Sequence, residues 1–191
     1  MSDRLNVIAV SGSPNHPSKT DTLLNAVIAE LGSKRPVDAR SVRLSALHPE
    51  LGATLQRPGA SRKVADALDL IEGADLLVVG TPVYRGAYSG LFKHLFDLVH
   101  QDALRSKPVM LVATGGSERH SLVIDHQLRP LFAFFQSLPL PLGVYGTDRD
   151  FADGRIASDA LSARIALAVQ YALPWLDSHR AERPEPLRLS A

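Results

Sequence analysis

Residues 74–98 read ADLLVVGTPVYRGAYSGLFKHLFDL. Leu76, Leu77, Val78 and Val79 run without polar interruption into Gly80, Thr81 and Pro82; a turn-rich stretch follows, and apolar residues then recur at helical spacing from Ser89. A continuous apolar run this short fits a strand buried on both faces, which has no solvent side to alternate with. Such a strand, joined by a loop to an amphipathic helix, is the repeating unit of a parallel sheet covered by helices on both faces.

The same unit recurs on either side. Segments 5–10, 42–44, 109–113 and 142–145 are also strand-like, and 20–31, 61–71, 89–100, 122–137 and 158–175 are helical in pattern. Strict alternation predicts an α/β fold with a five-stranded parallel sheet and helices on both faces, which matches the flavodoxin-like arrangement in count and length. Right-handed crossovers then bring the loops after the first, third and fourth strands to one edge, where ligands bind in such sheets. Segment 46–60, with two prolines and two glycines, reads as a surface loop. Residues 1–178 read as one domain, and 179–191, with Pro184 and Pro186 among charges, as an extended or disordered tail.

The composition narrows the chemistry. The chain of 191 residues is 45% hydrophobic, enough for a substantial core, and its scattered charges sum to +1. That balance gives no reason to expect nucleic acid or a membrane as partner. With no cysteine, thiolate nucleophiles, disulfides, cysteine-held zinc and iron–sulfur clusters are excluded, so redox chemistry requires an organic cofactor. The N-terminus lacks the pattern of a secretory signal and no apolar run is long enough for a membrane span, which points to the cytoplasm.

The first strand leads into SGSPNHPSKT (11–20), just before a helix. Hydroxyls of Ser11, Ser13, Ser18 and Thr20, backbone N–H groups and a helix N-terminus converge there, an arrangement suited to a phosphate, while Gly12 permits the turn. Ser or Thr before a helix is also an ordinary cap; four hydroxyls after the first buried strand favour binding. A P-loop is not matched: Gly12 to Lys19 is one residue too long, Ser18 stands at the second glycine, and the third strand does not end in a magnesium-binding Asp. Without G-x-G-x-x-G, a monophosphate such as that of FMN fits better than a pyrophosphate.

After the third strand, Pro82 fixes φ, Gly80 and Gly86 allow close approach, and the backbone at Val83 and Tyr84 suits a planar heterocycle, with Arg85 as a nearby cation. Tyr84 alone also reads as an aromatic capping the sheet. The fourth strand ends in Thr114, Gly115 and Gly116, whose amides suit the negative charge developing on a reduced flavin. The other histidines (His16, His48, His94, His100, His120, His179) lack metal-ligand spacing, and no G-x-S-x-G elbow accompanies Ser117, Asp125 and His120.

On SGSPNHPSKT, ADLLVVGTPVYRGAYSGLFKHLFDL and VATGGSERHSLVIDHQLRPL, the chain resembles the NAD(P)H-dependent FMN reductases of the flavodoxin-like superfamily. The likeness is to those supplying two-component alkanesulfonate and methanesulfonate monooxygenases, particularly the methanesulfonate type. It implies that Ser11, Ser13, Ser18 and Thr20 hold the FMN phosphate, that Pro82, Val83, Tyr84 and Arg85 border the isoalloxazine, and that Thr114, Gly115 and Gly116 contact its pyrimidine side. Hydride would pass from NADH or NADPH to FMN by stacking, with no obligatory catalytic side chain and no metal. The partner implied is a monooxygenase using reduced FMN.

The resemblance also sets His126 at the position of an inserted residue that forms a π-bulge at a subunit interface. Locally, Pro130 cannot donate to the His126 carbonyl, which interrupts an α-helix there; a solvent-facing His beside a proline kink is the plainer alternative. The wide apolar stripe of 89–100 (Leu91, Leu95, Leu98 beside Phe92, Phe96, Val99) suggests burial against a second subunit in a homodimer or homotetramer, though a thick single-chain core accounts for it nearly as well. Competing activities are an FMN-retaining quinone, azo-dye or metal-oxyanion reductase, and a flavodoxin-type electron carrier, whose usual strong acidity this chain lacks.

Overall fold

The computed structural model describes residues 4–181. β1 (Leu5–Ser11) leads to α1 (Lys19–Lys34), β2 (Val37–Arg43), α2 (Leu44–Ala53), α3 (Arg62–Glu72), β3 (Leu76–Pro82), α4 (Gly90–Asp97) and β4 (Pro108–Gly115). A π-helical turn (Ile124–Leu128) runs into α5 (Arg129–Phe134), followed by β5 (Leu138–Pro139), β6 (Val144–Thr147), a two-stranded flap of β7 (Phe151–Ala152) and β8 (Arg155–Ile156), and α6 (Asp159–Ala181). The main sheet is parallel, in the order β2-β1-β3-β4-β5, and β6 also pairs with β4. This is the flavodoxin-like α/β fold.

The fifth position of the sheet is divided. β5 holds the start of β4 and β6 holds its end, with 140–143 between them. The Leu138 and Leu140 N–H groups donate to the Lys107 and Val109 carbonyls, so Pro139, between them, turns its missing N–H to the free edge; the ladder divides because the register slips by two residues between Val109–Pro139 and Val112–Val144. The expected fifth strand at 142–145 is thus the second piece of an interrupted one.

β3 and β4 are apolar and buried over nearly their whole length, as strands covered on both faces must be. α1 and α6 pack on one face through Leu23, Leu24, Val27, Leu31, Ile165 and Val169. α2, α3, α4 and α5 cover the other, where Phe92, Phe96 and Phe132 form a run of tilted and edge-on aromatic contacts.

Several boundaries differ from those expected of the sequence. Segment 46–60 is not a loop throughout: α2 occupies Leu44–Ala53, Pro49 notwithstanding, because Leu44, Leu47 and Leu51 bury one stripe. β2 extends back to Val37 as a polar edge strand, and Leu44 belongs to α2. α4 ends at Asp97, and most of the stripe expected against a second subunit, from Phe92 to Val99, is buried within this one chain. α6 carries helix to Ala181, through the first residues of the expected tail; residues 182–191 lie outside those described. No helix among the described residues is long and apolar enough to cross a membrane.

Phe96 is 1% exposed and touches the rings of Phe92, Phe132 and Phe135. Phe96→Ala is expected to lower stability by about 3–5 kcal/mol, read as a lower urea midpoint at unchanged slope.

Candidate functional site

The strand register builds the site. Ser11 is level with Gly80, Pro82 with Thr114, and Gly115 with Thr147, so the loops after β1, β3, β4 and β6 leave the sheet together. Between them lies a cavity of about 310 Å3, bordered by Ser13, Ser18 and Thr20 from the first loop, Pro82, Val83 and Tyr84 from the third strand, and Thr114, Gly115 and Gly116 from the fourth. Asn15, Pro17, Lys19 and Asp148 complete the lining. Ser11 and Arg85 do not line it: Ser11 is 2% exposed at the end of β1, and Arg85 stands out on the turn beyond Tyr84.

Three direct bonds lock the loops to one another. The Gly12 N–H donates to the Gly80 carbonyl (2.7 Å), and the Ser89 hydroxyl, which also caps α4, donates to the Gly12 carbonyl (3.1 Å). Thr20 Oγ1 and Thr114 Oγ1 share a buried hydrogen bond of 2.8 Å across the sheet. Gly12 has no alternative here, since a Cβ would lie 2.7 Å from the Phe92 ring and 3.0 Å from the Gly80 carbonyl.

The hydroxyls that stand out in the sequence are largely spent on building the loop. Ser13 Oγ donates to the Asn15 carbonyl and accepts from the Asn15 N–H, closing a tight turn. Ser18 caps α1, accepting from the Asp21 N–H and donating to the Asp21 carboxylate. Ser11 Oγ is buried with no partner at full hydrogen-bond geometry, and of the side chains that favour the Asp21 carboxylate it acts most strongly. Donors that remain at the cavity include those of the first turn of α1, where the N–H groups of Lys19 and Thr20 have no intrahelical acceptor; the Lys19 ammonium beside them is paired with Asp148.

Asp21, absent from the residues singled out by sequence, organises this loop from beneath. Burial alone would raise its carboxyl pKa; the side chains of Ser11, His16 and Ser18, with the charge of His16, outweigh burial and hold it below the ordinary carboxylate range. Its Oδ2 accepts from Ser18 (2.8 Å) and sits 3.0 Å from His16 Nδ1. The S-x-x-D spacing from Ser18 to Asp21 carried the signal, as a form of capping box.

Beyond Pro82, the Val83 N–H donates to the Thr114 carbonyl (2.7 Å), and Tyr84 and Ala87 exchange backbone hydrogen bonds around a two-residue turn. Arg85 at φ 52° and Gly86 at φ 84° occupy its left-handed centre, which leaves Tyr84 45% exposed at the cavity rim. Across from it, the Tyr145 hydroxyl donates to the Ser117 carbonyl (2.7 Å) and would sit 2.2 Å from a Cβ on Gly115. Burial, then the charges of Glu118 and Asp148, push the Tyr145 phenol pKa up.

His126 lies outside the cavity lining, exposed on the π-helical turn, where the Arg129 N–H donates to the Ile124 carbonyl five residues back. Leu122 and Phe134, 59% and 68% exposed, lie on neighbouring turns. His94 serves the fold instead, with Nε2 at 2.8–3.0 Å from the carbonyls of Leu51 and Thr54 at the end of α2.

The profile of the NADPH-dependent FMN reductase family matches residues 5–152, and the chain belongs to that family. It is 53% identical over 174 residues to the FMN reductase (NADPH) of Pseudomonas aeruginosa, covering 91% of this chain and 94% of that one. It is 51% identical over 183 residues to the NADH-dependent FMN reductase SfnE of Pseudomonas putida, covering 96% and 98%. Among solved structures it is similar to an oxidoreductase of Corynebacterium diphtheriae (TM-score 0.78, 31% identity, 93% and 99% of the two chains). It is also similar to the NADH:FMN oxidoreductase EMOB in its apo form (TM-score 0.76, 27% identity, 91% and 89%).

Two outcomes are expected from this geometry. Gly12→Ala costs about 1–3 kcal/mol of stability by forcing Phe92 or the β3 backbone aside, measured by denaturant titration. Because the folded pKa of Asp21 lies below its unfolded one, its stabilisation is complete above about pH 4 and is lost as pH falls through the lowered value. The stability gap between the protein and Asp21→Asn therefore holds at neutral pH and narrows on acidification below that point, as a pH series of urea titrations reads out.

Proposed function

Starting from that family membership, we propose that the chain reduces FMN with NADH or NADPH and hands the reduced flavin to a sulfonate monooxygenase. The observation that carries this reading is the cavity itself. Its first-loop side offers the unsatisfied N–H groups of a helix start and one ammonium, and its other side is made by Pro82, Val83 and the exposed Tyr84 ring with the small residues Thr114, Gly115 and Gly116. That combination suits a molecule with a phosphate at one end and a flat, polar-edged ring at the other.

In this reading the loop built by Ser11, Ser13, Ser18 and Thr20 seats the FMN phosphate, with the Lys19 and Thr20 amides as nearest donors. Pro82, Val83, Tyr84 and Arg85 border the isoalloxazine; Thr114, Gly115 and Gly116 meet its pyrimidine edge, where their amides offset developing negative charge. FMN, when bound, supplies the two-electron acceptor for a nicotinamide hydride. The residues at the ends of β3 and β4 would orient the ring at the cavity mouth beside Tyr84, so that positioning would supply the rate enhancement with no side-chain acid or base required.

The partner role is what the resemblance to monooxygenase-supplying reductases implies, and the likeness to the FMN reductase SfnE along almost the whole chain supports it. A homotetramer meeting at the π-helical turn, with His126 flanked by exposed Leu122 and Phe134, accounts for apolar surface that the single chain leaves uncovered. The reaction belongs in the cytoplasm, where NADH and NADPH are available, within a single domain whose last helix runs to Ala181.

Flavin-free protein is expected to oxidise NADH or NADPH only when flavin is added, with kcat/KM higher for FMN than for riboflavin. Steady-state assays under air with FMN, FAD and riboflavin test this. Equal efficiency with FMN and riboflavin would remove the phosphate seat on which the reading rests.

A further inference from the structure

Among the described residues lining the cavity, Lys19 is the one cation and Asp148 the one anion, and they are bonded to each other. Lys19 Nζ lies 2.7 Å from Asp148 Oδ1, joining the start of α1 to the turn after β6, 129 residues away in sequence. The bond therefore bridges the rim at the point where the first-turn N–H groups open into the cavity.

The two acids of that turn are used differently. Asp150 faces inward, its Oδ2 accepting from the Thr147 N–H (2.7 Å) and the Thr147 hydroxyl (2.8 Å) in a capping box. Asp148 is exposed and reaches across the rim to Lys19 instead. With side chains 46% and 60% exposed, the pair contributes little to holding the fold together, and an exchange of partner by Lys19 is cheap.

We propose that Asp148 is a built-in competitor for the flavin phosphate. It occupies Lys19 while the cavity is free and yields it when a phosphate arrives, and by pulling Lys19 back it promotes release. The inference rests on the FMN reading above and deepens it: it assigns to one residue of this chain the tuning of FMN from a retained cofactor towards an exchangeable substrate. A phosphate bound at the first-turn amides adds a strong acceptor for Lys19, whereas riboflavin brings none, so the competition is selective for phosphorylated flavin.

The test compares Kd for FMN and riboflavin, by flavin fluorescence, in the full chain, Asp148→Asn, Lys19→Met and the double variant, with FMN release followed by stopped flow. Asp148→Asn is expected to tighten FMN about 2–5-fold and slow its release, with riboflavin unchanged. Lys19→Met weakens FMN by a comparable factor, and in that background Asp148→Asn loses most of its effect. A full-sized effect of Asp148→Asn without Lys19, an equal shift for riboflavin, or no shift at all overturns the competition. If the unaltered protein itself binds FMN no better than riboflavin, the FMN reading fails along with it; if it prefers FMN and Asp148→Asn changes nothing, only the competition fails.

Discussion

The parallel register of β1, β3 and β4 is the constraint on which the rest of the molecule depends. It sets Ser11 beside Gly80 and Pro82 beside Thr114, and the Gly12–Gly80 and Thr20–Thr114 bonds convert that alignment into a fixed distance between loops. Each of those bonds is buried or at a backbone turn, where an unpaired group costs more than the bond itself returns. The cavity is thus positioned by the sheet, whose strand ends fix where each lining loop begins.

Within that frame, charge is distributed by depth. Asp21 is buried under the first loop, where Ser11, His16 and Ser18 favour its carboxylate and fix the course of the chain above. Lys19 and Asp148, one layer further out, are exposed to solvent and able to exchange partners. A buried inner carboxylate and an exposed outer ion pair would suit the exchange of flavin proposed above.

Much of this is legible in the sequence because its signals are strong and local. Continuous apolar runs at β1, β3 and β4 announce the parallel core, and the loops that follow them do meet in one cavity. Weaker signals mislead where two rules compete. In α2, the stripe of Leu44, Leu47 and Leu51 outweighs Pro49; in β2, a polar edge strand has no apolar run to announce it; and a register slip against β4, which no local pattern announces, divides the fifth strand into two. At the site, hydroxyl-bearing residues are visible in the sequence but their hydrogen-bond partners are not. Only the folded chain turns Ser13 and Ser18 to the loop itself and engages Lys19 with an acid 129 residues away.

The central claim is that the first turn of α1 seats a phosphate and leaves the attached ring to the third and fourth strand ends. A crystal structure of the protein with FMN tests it most directly. The phosphate is expected within hydrogen-bond distance of the Lys19 and Thr20 amides, with the ring against Pro82, Val83 and Gly115. A phosphate lying elsewhere, or a ring inserted into the first loop, would contradict it.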